Sequence, residues 1–240
     1  MLHKTRGIVF RTTNYGESSV VAQIFTEKFG VQSYLINGVK KPRAKIPMNL
    51  LQPLHLLDMV VYYKDGGTLQ RIAEAKAAPV LHTLPYDVVK SSIAIFLNEV
   101  LYKSVKQQTP EESLFHYVFS SVEWLDGEHR GVANFHVLFM IQLSRYLGFF
   151  PAKPGSGDGF FDLQEGVFTN RKPAHSFFIG DQLNELLKDL LKIRFDELFS
   201  LRISAGDRRN LLYKLLDYYA MHVEGFGHVR SHVVLEEVLG

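Results

Sequence analysis

Apolar positions recur with a period of two over the first third of the chain, and with a period of 3.6 from Pro79 onward. In the first region the apolar runs are short, rich in β-branched and aromatic residues, and separated by turn signals. They predict strands at residues 7–11, 19–26 and 31–37, a longer one over 50–63 with a bend near Pro53, and a fifth over 68–75. Turns are predicted at Asn14-Tyr15-Gly16-Glu17, Lys28-Phe29-Gly30 and Asp65-Gly66-Gly67. Five short strands in about 70 residues predict a small closed barrel. A five-stranded Greek key of this size is the OB architecture, and an SH3-like barrel is a rival that strand count does not separate from it.

Beyond Pro79 the spacing predicts a helix over 86–106, with Val88, Val89, Ile93, Phe96, Leu97, Val100 and Leu101 on one face. A second helix is expected to start at Thr109-Pro110-Glu111-Glu112, with Thr109 as cap, Pro110 in the first helical position and Glu112 closing a capping box. Its apolar stripe is Leu114, Phe115, Val118, Phe119, Val122 and Leu125. A third helix spans 132–147, with Phe135, Leu138, Phe139, Ile141, Leu143 and Tyr146 as core and Arg145 exposed. Residues 148–175 break the pattern with Pro151, Pro154 and the flexible run Gly155-Ser156-Gly157-Asp158-Gly159, followed by a small hairpin at 160–163 and 167–169. Helical spacing returns over 180–199, from a cap at Ser204, and over 229–239. The fold class is therefore α+β: an N-terminal five-stranded OB-fold β-barrel over residues 1–79, then an α-helical domain over 80–240 with a small β-hairpin insertion.

Charge sharpens this division. The first 79 residues hold eleven Lys and Arg against five Asp and Glu, a balance of +6, whereas the remaining 161 hold 16 against 20, a balance of −4. The densest positive charge is Gly38-Val39-Lys40-Lys41-Pro42-Arg43-Ala44-Lys45, four cations within six residues. Like charges on one loop repel unless an anion neutralises them, and a nucleic-acid backbone is the natural polyanion; a solvated, solubilising loop is the plain alternative. Aromatic residues accompany the cations in the same region. Tyr15, Phe29, Tyr34, Tyr62 and Tyr63 stand beside Arg6, Arg11, Lys40, Lys41, Arg43 and Lys45, the combination that tracks phosphates and stacks on unpaired bases. Most of these rings are expected in the core, with Tyr15, in a turn, the one expected to be exposed.

Other chemistry finds little support. The chain has no cysteine, which excludes disulfides, thiolate zinc sites and cysteine nucleophiles. No apolar run has transmembrane length and the start lacks a signal-peptide core, so the cytoplasm is the expected compartment. The pair Glu111 and Glu112 is explained by helix capping rather than acid–base work. His129 and His136 are seven apart without further ligands, and His222, His228 and His232 are interrupted by Gly225 and Gly227, so neither set predicts a metal site. The glycine-rich run fits neither dinucleotide nor phosphate-loop spacing.

Several stretches together resemble the RecO recombination mediators in order and spacing: Gly7-Ile8-Val9-Phe10-Arg11, Tyr15-Gly16-Glu17-Ser18, Gly38-Val39-Lys40-Lys41, Leu51-Gln52-Pro53-Leu54, Asn98-Glu99-Val100-Leu101, Gly148-Phe149-Phe150-Pro151 and Ser231-His232-Val233-Val234-Leu235. The resemblance implies a non-enzymatic DNA repair and recombination protein, free of cofactors and monomeric when free, acting at the nucleoid. It implies binding of single- and double-stranded DNA, strand annealing, contact with the acidic C-terminal tail of the single-strand-binding protein SSB, and, with RecR, loading of RecA on SSB-coated strands. Carried to matching positions, Lys40, Lys41, Arg43 and Lys45 would belong to the DNA face of the OB domain, which Arg11 and Tyr15 are expected to join from the pairing of cations with aromatics, and Lys103 or Arg145 would be the cation for the SSB tail. Many family members carry a four-cysteine zinc module after the Gly-Phe-x-Pro segment. Here residues 151–171 have no cysteine, so no zinc is expected. Two rivals remain: a protein-interaction scaffold whose basic barrel binds an acidic partner, and a metal-dependent nuclease, against which the lack of a carboxylate cluster in the barrel argues.

Overall fold

A computed structural model of the chain describes residues 1–127 and 130–240. The fold resolves into two compact units, one of Met1–Asp87 with Leu97–Gly127, the other of Val88–Phe96 with the described residues from 130 onward.

The first unit is built on a closed barrel of β1 (Leu2–Tyr15), β2 (Ser19–Thr26), β3 (Gly30–Ile36), β4 (Leu56–Tyr62) and β5 (Gln70–Ala77), in the order β1-β2-β3-β5-β4. Neighbours are antiparallel except at the closing seam, where β3 runs parallel to β5 through Tyr34↔Gln70 and Leu35↔Arg71. This Greek key closed by a parallel third and fifth strand is the OB topology and excludes the SH3-like alternative. Alternate residues point inward as the period of two requires: Val20, Ala22 and Ile24 on β2 meet Leu57, Met59 and Val61 on β4 in one core. A bulge between Val9 and Arg11 breaks the alternation, so that Val9 and Phe10 are both buried. Val9 joins the barrel core, while Phe10 meets Phe25, which in turn packs on Phe115 of α2 (Glu112–Asp126).

Three expectations for this unit need correction. β1 begins at Leu2 because it pairs with β4 along its whole first half, from Leu2↔Tyr62 to Ile8↔Leu56. The long strand expected over 50–63 starts only at Leu56. Met48–Leu51 is a 3-10 turn that seats Leu51 in the barrel core, and Leu54 N–H donates to the Val9 carbonyl at 2.8 Å. Pro53, without an N–H, does not continue the ladder. Finally, Thr109 does not cap α2, whose first flanking residue is Glu111 with no side-chain cap bond. The segment before it is held elsewhere: the Gln107 carbonyl accepts from Val31 N–H at 2.8 Å. Glu112 instead lies 3.6 Å from His116.

Within this unit the linker is pinned. The Asp126 carboxylate accepts backbone N–H bonds from His82, Thr83 and Leu84 at 2.8–3.0 Å, and Thr83 Oγ1 donates to the Asp126 carbonyl. Asn98, on α1 (Val88–Ser104), donates to the Phe10 carbonyl at 2.8 Å.

The second unit is organised on α3 (Phe135–Tyr146), preceded by a 3-10 turn at Val132–Asn134. Every residue from Phe135 to Ile141 is buried, His136 included, so the expected stripe widens to the whole circumference over the first two turns, while Tyr146 in the last turn is exposed rather than core. His129 lies outside the described residues. The expected hairpin is present as β6 (Phe160–Asp162) and β7 (Val167–Thr169), and a third strand, β8 (Phe178–Gly180), joins it in the order β7-β6-β8. α4 (Asp181–Leu190) stops short of the expected 199 and is followed by a 3-10 turn at Phe195–Ser200, started by Arg194 N–H donating to Glu197 Oε2 at 2.9 Å. α5 (Ala205–His222) is capped by Ser204 Oγ, which accepts from Asp207 N–H at 3.0 Å, and α6 (His232–Leu239) closes the chain.

Candidate nucleic-acid interface

The basic segment leaves β3 at Ile36 and is fastened at both ends. Val39 and Ile46 are buried in the barrel core, while Lys40, Lys41, Arg43 and Lys45 between them are exposed. Two successive turns shape it, Lys41 N–H donating to the Gly38 carbonyl and Ala44 N–H to the Lys41 carbonyl, each at 3.1 Å. Lys45 lies 3.7 Å from Glu74 of β5, a pair open to solvent on both sides and therefore weak. Among the described residues Lys40, Lys41 and Arg43 have no carboxylate within ion-pair distance. Three cations are thus presented together on a fixed scaffold, with a fourth lightly held.

Tyr15 is exposed as expected, at 57%, although it is the last residue of β1, paired with Ser19, rather than part of the turn. Arg11 does not stand free. Its Nη1 donates to the Tyr102 hydroxyl at 2.9 Å and its guanidinium lies over the Tyr102 ring at 5.4 Å, a pairing across 91 positions that no local pattern signals. The other aromatics divide. Tyr34 is fully buried, and burial pushes its hydroxyl pKa upward; Phe29 and Tyr63 stack on each other at 3.9 Å against the barrel core; Tyr62 is half exposed.

A second feature lies on the outer face of β1, β4 and β5, where a groove of about 600 Å³ is lined by Lys4, Arg6, Lys28 and Lys76 together with Glu27, Asp58 and Glu74. Here charge is internally compensated. Arg6 holds Glu27 in a bidentate pair at 2.8 and 3.0 Å, which lowers the Glu27 pKa below the usual carboxylate range, and Lys76 lies 3.7 Å from Asp58.

The two cations considered for an SSB tail fall in different units. Lys103, on α1, lies 3.8 Å from Glu99, whereas Arg145, on α3, is exposed with its guanidinium 3.8 Å over the Phe150 ring. Among the described residues no group of three or more His, Asp or Glu is arranged to hold a metal. Residues 151–171 offer carboxylates but no thiolates, and two of the carboxylates hold backbone N–H groups. Asp158 Oδ2 accepts from Gly155 N–H at 2.7 Å, and Asp162 Oδ1 accepts from Gln164 N–H at 2.9 Å. These residues do not fit a thiolate zinc centre. No helix among the described residues is long and apolar enough to cross a membrane.

The closed barrel with an exposed cationic segment, followed by helices and a small three-stranded sheet, defines an OB-fold protein with a helical second part. The family model Recombination protein O N terminal matches residues 1–80, and Recombination protein O C terminal matches residues 85–231. The chain is 32% identical to the DNA repair protein RecO of Azobacteroides pseudotrichonymphae genomovar. CFP2 and 34% identical to that of Phocaeicola vulgatus, each over 99% of both chains. It is 34% identical to the RecO of Flavobacterium psychrophilum over 98% of both. The chain belongs to the RecO family of DNA repair proteins.

Proposed function

We propose that this RecO-family protein binds single- and double-stranded DNA through the barrel, anneals complementary strands and, with RecR, helps load RecA on strands coated by SSB. One observation carries the reading: Lys40, Lys41, Arg43 and Lys45 are held exposed between two buried anchors. Phosphates along this surface release counterions as they are neutralised, and two strands so bound lose the repulsion that keeps complementary bases apart. Arg11 over Tyr102 and the exposed Tyr15 ring extend the surface with stacking faces. For the acidic SSB tail, Arg145 beside Phe150 is the better supported cation, because Lys103 already faces Glu99. The mechanism is charge neutralisation and positioning, without chemical turnover.

The test is duplex binding across a salt series, with annealing of SSB-coated strands measured in parallel, for the chain and its K40A/K41A/R43A/K45A variant. The slope of log affinity against log salt is expected to fall by about 3, from roughly 0.9 per lost phosphate contact. Annealing should fall with it. An unchanged slope removes the segment from the DNA face. A second reading, a protein partner on the barrel, draws on the groove, whose alternating Lys and Asp or Glu side chains suit a partner of mixed charge better than a polyanion. Polyglutamate competing as well as DNA would favour it.

A further inference from the structure

The part of the chain after the barrel is acidic in sum, yet Gly166 to Gly180 contains Arg171, Lys172 and His175 and no carboxylate at all. The small sheet gives this stretch a definite shape. β7 ends in Thr169, whose hydroxyl accepts from Arg171 N–H at 3.2 Å and fixes the turn that carries Arg171 and Lys172 into solvent. Ahead of β8, Leu163 N–H donates to the Phe177 carbonyl at 3.0 Å. The backbone of Phe177 is thereby pinned while its ring remains 40% exposed, and Ile179 takes the buried side of the strand. In the same stretch Lys172 Nζ lies 5.5 Å over the Phe178 ring, the His175 ring centroid is 6.4 Å from that of Phe177, and Lys214 Nζ donates to the Ser176 carbonyl at 3.4 Å. The neighbouring carboxylate, Asp162, is already within 3.2 Å of His175 and takes backbone N–H bonds as well.

We infer that the turn between β7 and β8 is a second nucleic-acid contact, specific for single strands, in which Arg171 and Lys172 take backbone phosphates and Phe177 stacks on an unpaired base. A partly solvent-facing phenylalanine on a pinned backbone costs exposure to water, and the folded unit leaves two-fifths of the residue uncovered. On a stretch that also carries Arg171 and Lys172 and no carboxylate, it has the composition of a stacking platform with an electrostatic guide. Duplex bases, already stacked, offer no face to Phe177, so the contact discriminates strand form rather than sequence. The inference rests on the DNA-binding reading of the barrel and extends it: with one such surface on each compact unit, a single chain can hold two strands, which annealing requires.

The experiment compares the full chain with R171A/K172A, F177A and F177W, and with the barrel variant K40A/K41A/R43A/K45A, for binding to a labelled oligo-dT and to a duplex. Thermal melts by circular dichroism establish that each variant is folded. For oligo-dT the salt slope is expected to fall by about 1.4 in R171A/K172A, from roughly 0.7 per single-strand phosphate. F177A is expected to weaken oligo-dT binding by about fivefold or more with duplex binding unchanged, and F177W to restore it. Unchanged oligo-dT binding in folded R171A/K172A and F177A overturns the inference, and if the barrel variant still loses affinity the barrel reading survives alone. Loss in the turn variants with none in the barrel variant supports the turn contact and overturns the barrel segment instead. Polyglutamate displacing oligo-dT from the turn as effectively as unlabelled DNA would overturn the nucleic-acid assignment in favour of an acidic peptide.

Discussion

Arg208 and His136 show what single positions do in the interior of the second unit. A cation in the first turn of α5 opposes the helix dipole, which favours an acidic residue such as the neighbouring Asp207 there. The structure supplies compensation from afar: Arg208 is buried, with Nη2 donating to the Leu239 carbonyl at 2.7 Å, near the end of α6, where the dipole favours positive charge, and Nη1 reaching Asn134 Oδ1 at 3.4 Å. His136 is a neutral core residue. Burial, and then the charge of Arg208, push its pKa down to about 3. In the unfolded chain His136 takes a proton near pH 6.5, so between that pH and about 3 the unfolded state binds the extra proton. Its contribution is therefore fully present above pH 6.5 and lost as pH falls, at about 1.4 kcal/mol per pH unit. His136→Gln is expected to flatten this dependence in urea denaturation measured across that window. A slope equal to that of the native chain would acquit the residue.

Among elements, the β2–β3 turn shows how the chain after α1 is bound to the barrel within the first unit. Gly30 has φ +63, and a Cβ there would stand 2.4 Å from the Thr109 carbonyl oxygen and 2.5 Å from that of Gln107. Backbone atoms cannot swing aside as a flexible side chain can. Gly30→Ala is expected to cost more than about 2 kcal/mol, combining the left-handed penalty of roughly 1–2 kcal/mol with displacement of the 107–109 segment. Gly16→Ala is the matched control, because its φ is +70 with nothing within 4 Å. It should pay the conformational part alone. Equal melting temperatures for the two variants would deny that this packing stabilises the unit. The same close approach explains why Thr109 does not cap α2, since residues 107–109 are already committed to β3.

At the scale of the whole molecule, the question is how residues 148–180 fold without thiolates. Phe161 packs on Phe168 at 4.8 Å and on Tyr218 at 5.5 Å, and Tyr218 donates its hydroxyl to the Phe149 carbonyl at 2.5 Å. The Asp158 carbonyl takes bonds from Asn184 Nδ2 at 3.1 Å and Lys188 Nζ at 2.5 Å, and His222 Nε2 lies 2.9 Å from the Leu163 carbonyl. Apolar burial and satisfied carbonyls do the work that metal ligation does elsewhere. A chelator is accordingly expected to leave the thermal midpoint unmoved, measured by calorimetry with and without excess EDTA. A clear fall would reveal a structural metal.

The sequence by itself determined the number and order of the barrel strands, the change to helices after Pro79, the cationic segment and the family, because alternation, 3.6-residue spacing, charge density and ordered motifs are all local along the chain. Ser19–Thr26 is read to the residue for that reason, and so is the cap at Ser204. Only the tertiary structure decided what depends on distant partners. The parallel β3–β5 seam pairs residues 36 apart, Tyr34 with Gln70. The split of 50–63 into a turn and a strand depends on Val9, and β8 is three residues whose partner is β6. The same holds for the candidate interface. Lys40 to Lys45 could be read as a charge run, but its fastening through Val39 and Ile46, the hold of Tyr102 on Arg11 and the exposed ring of Phe177 arise from packing, where positions far apart in the chain compete for the same buried space.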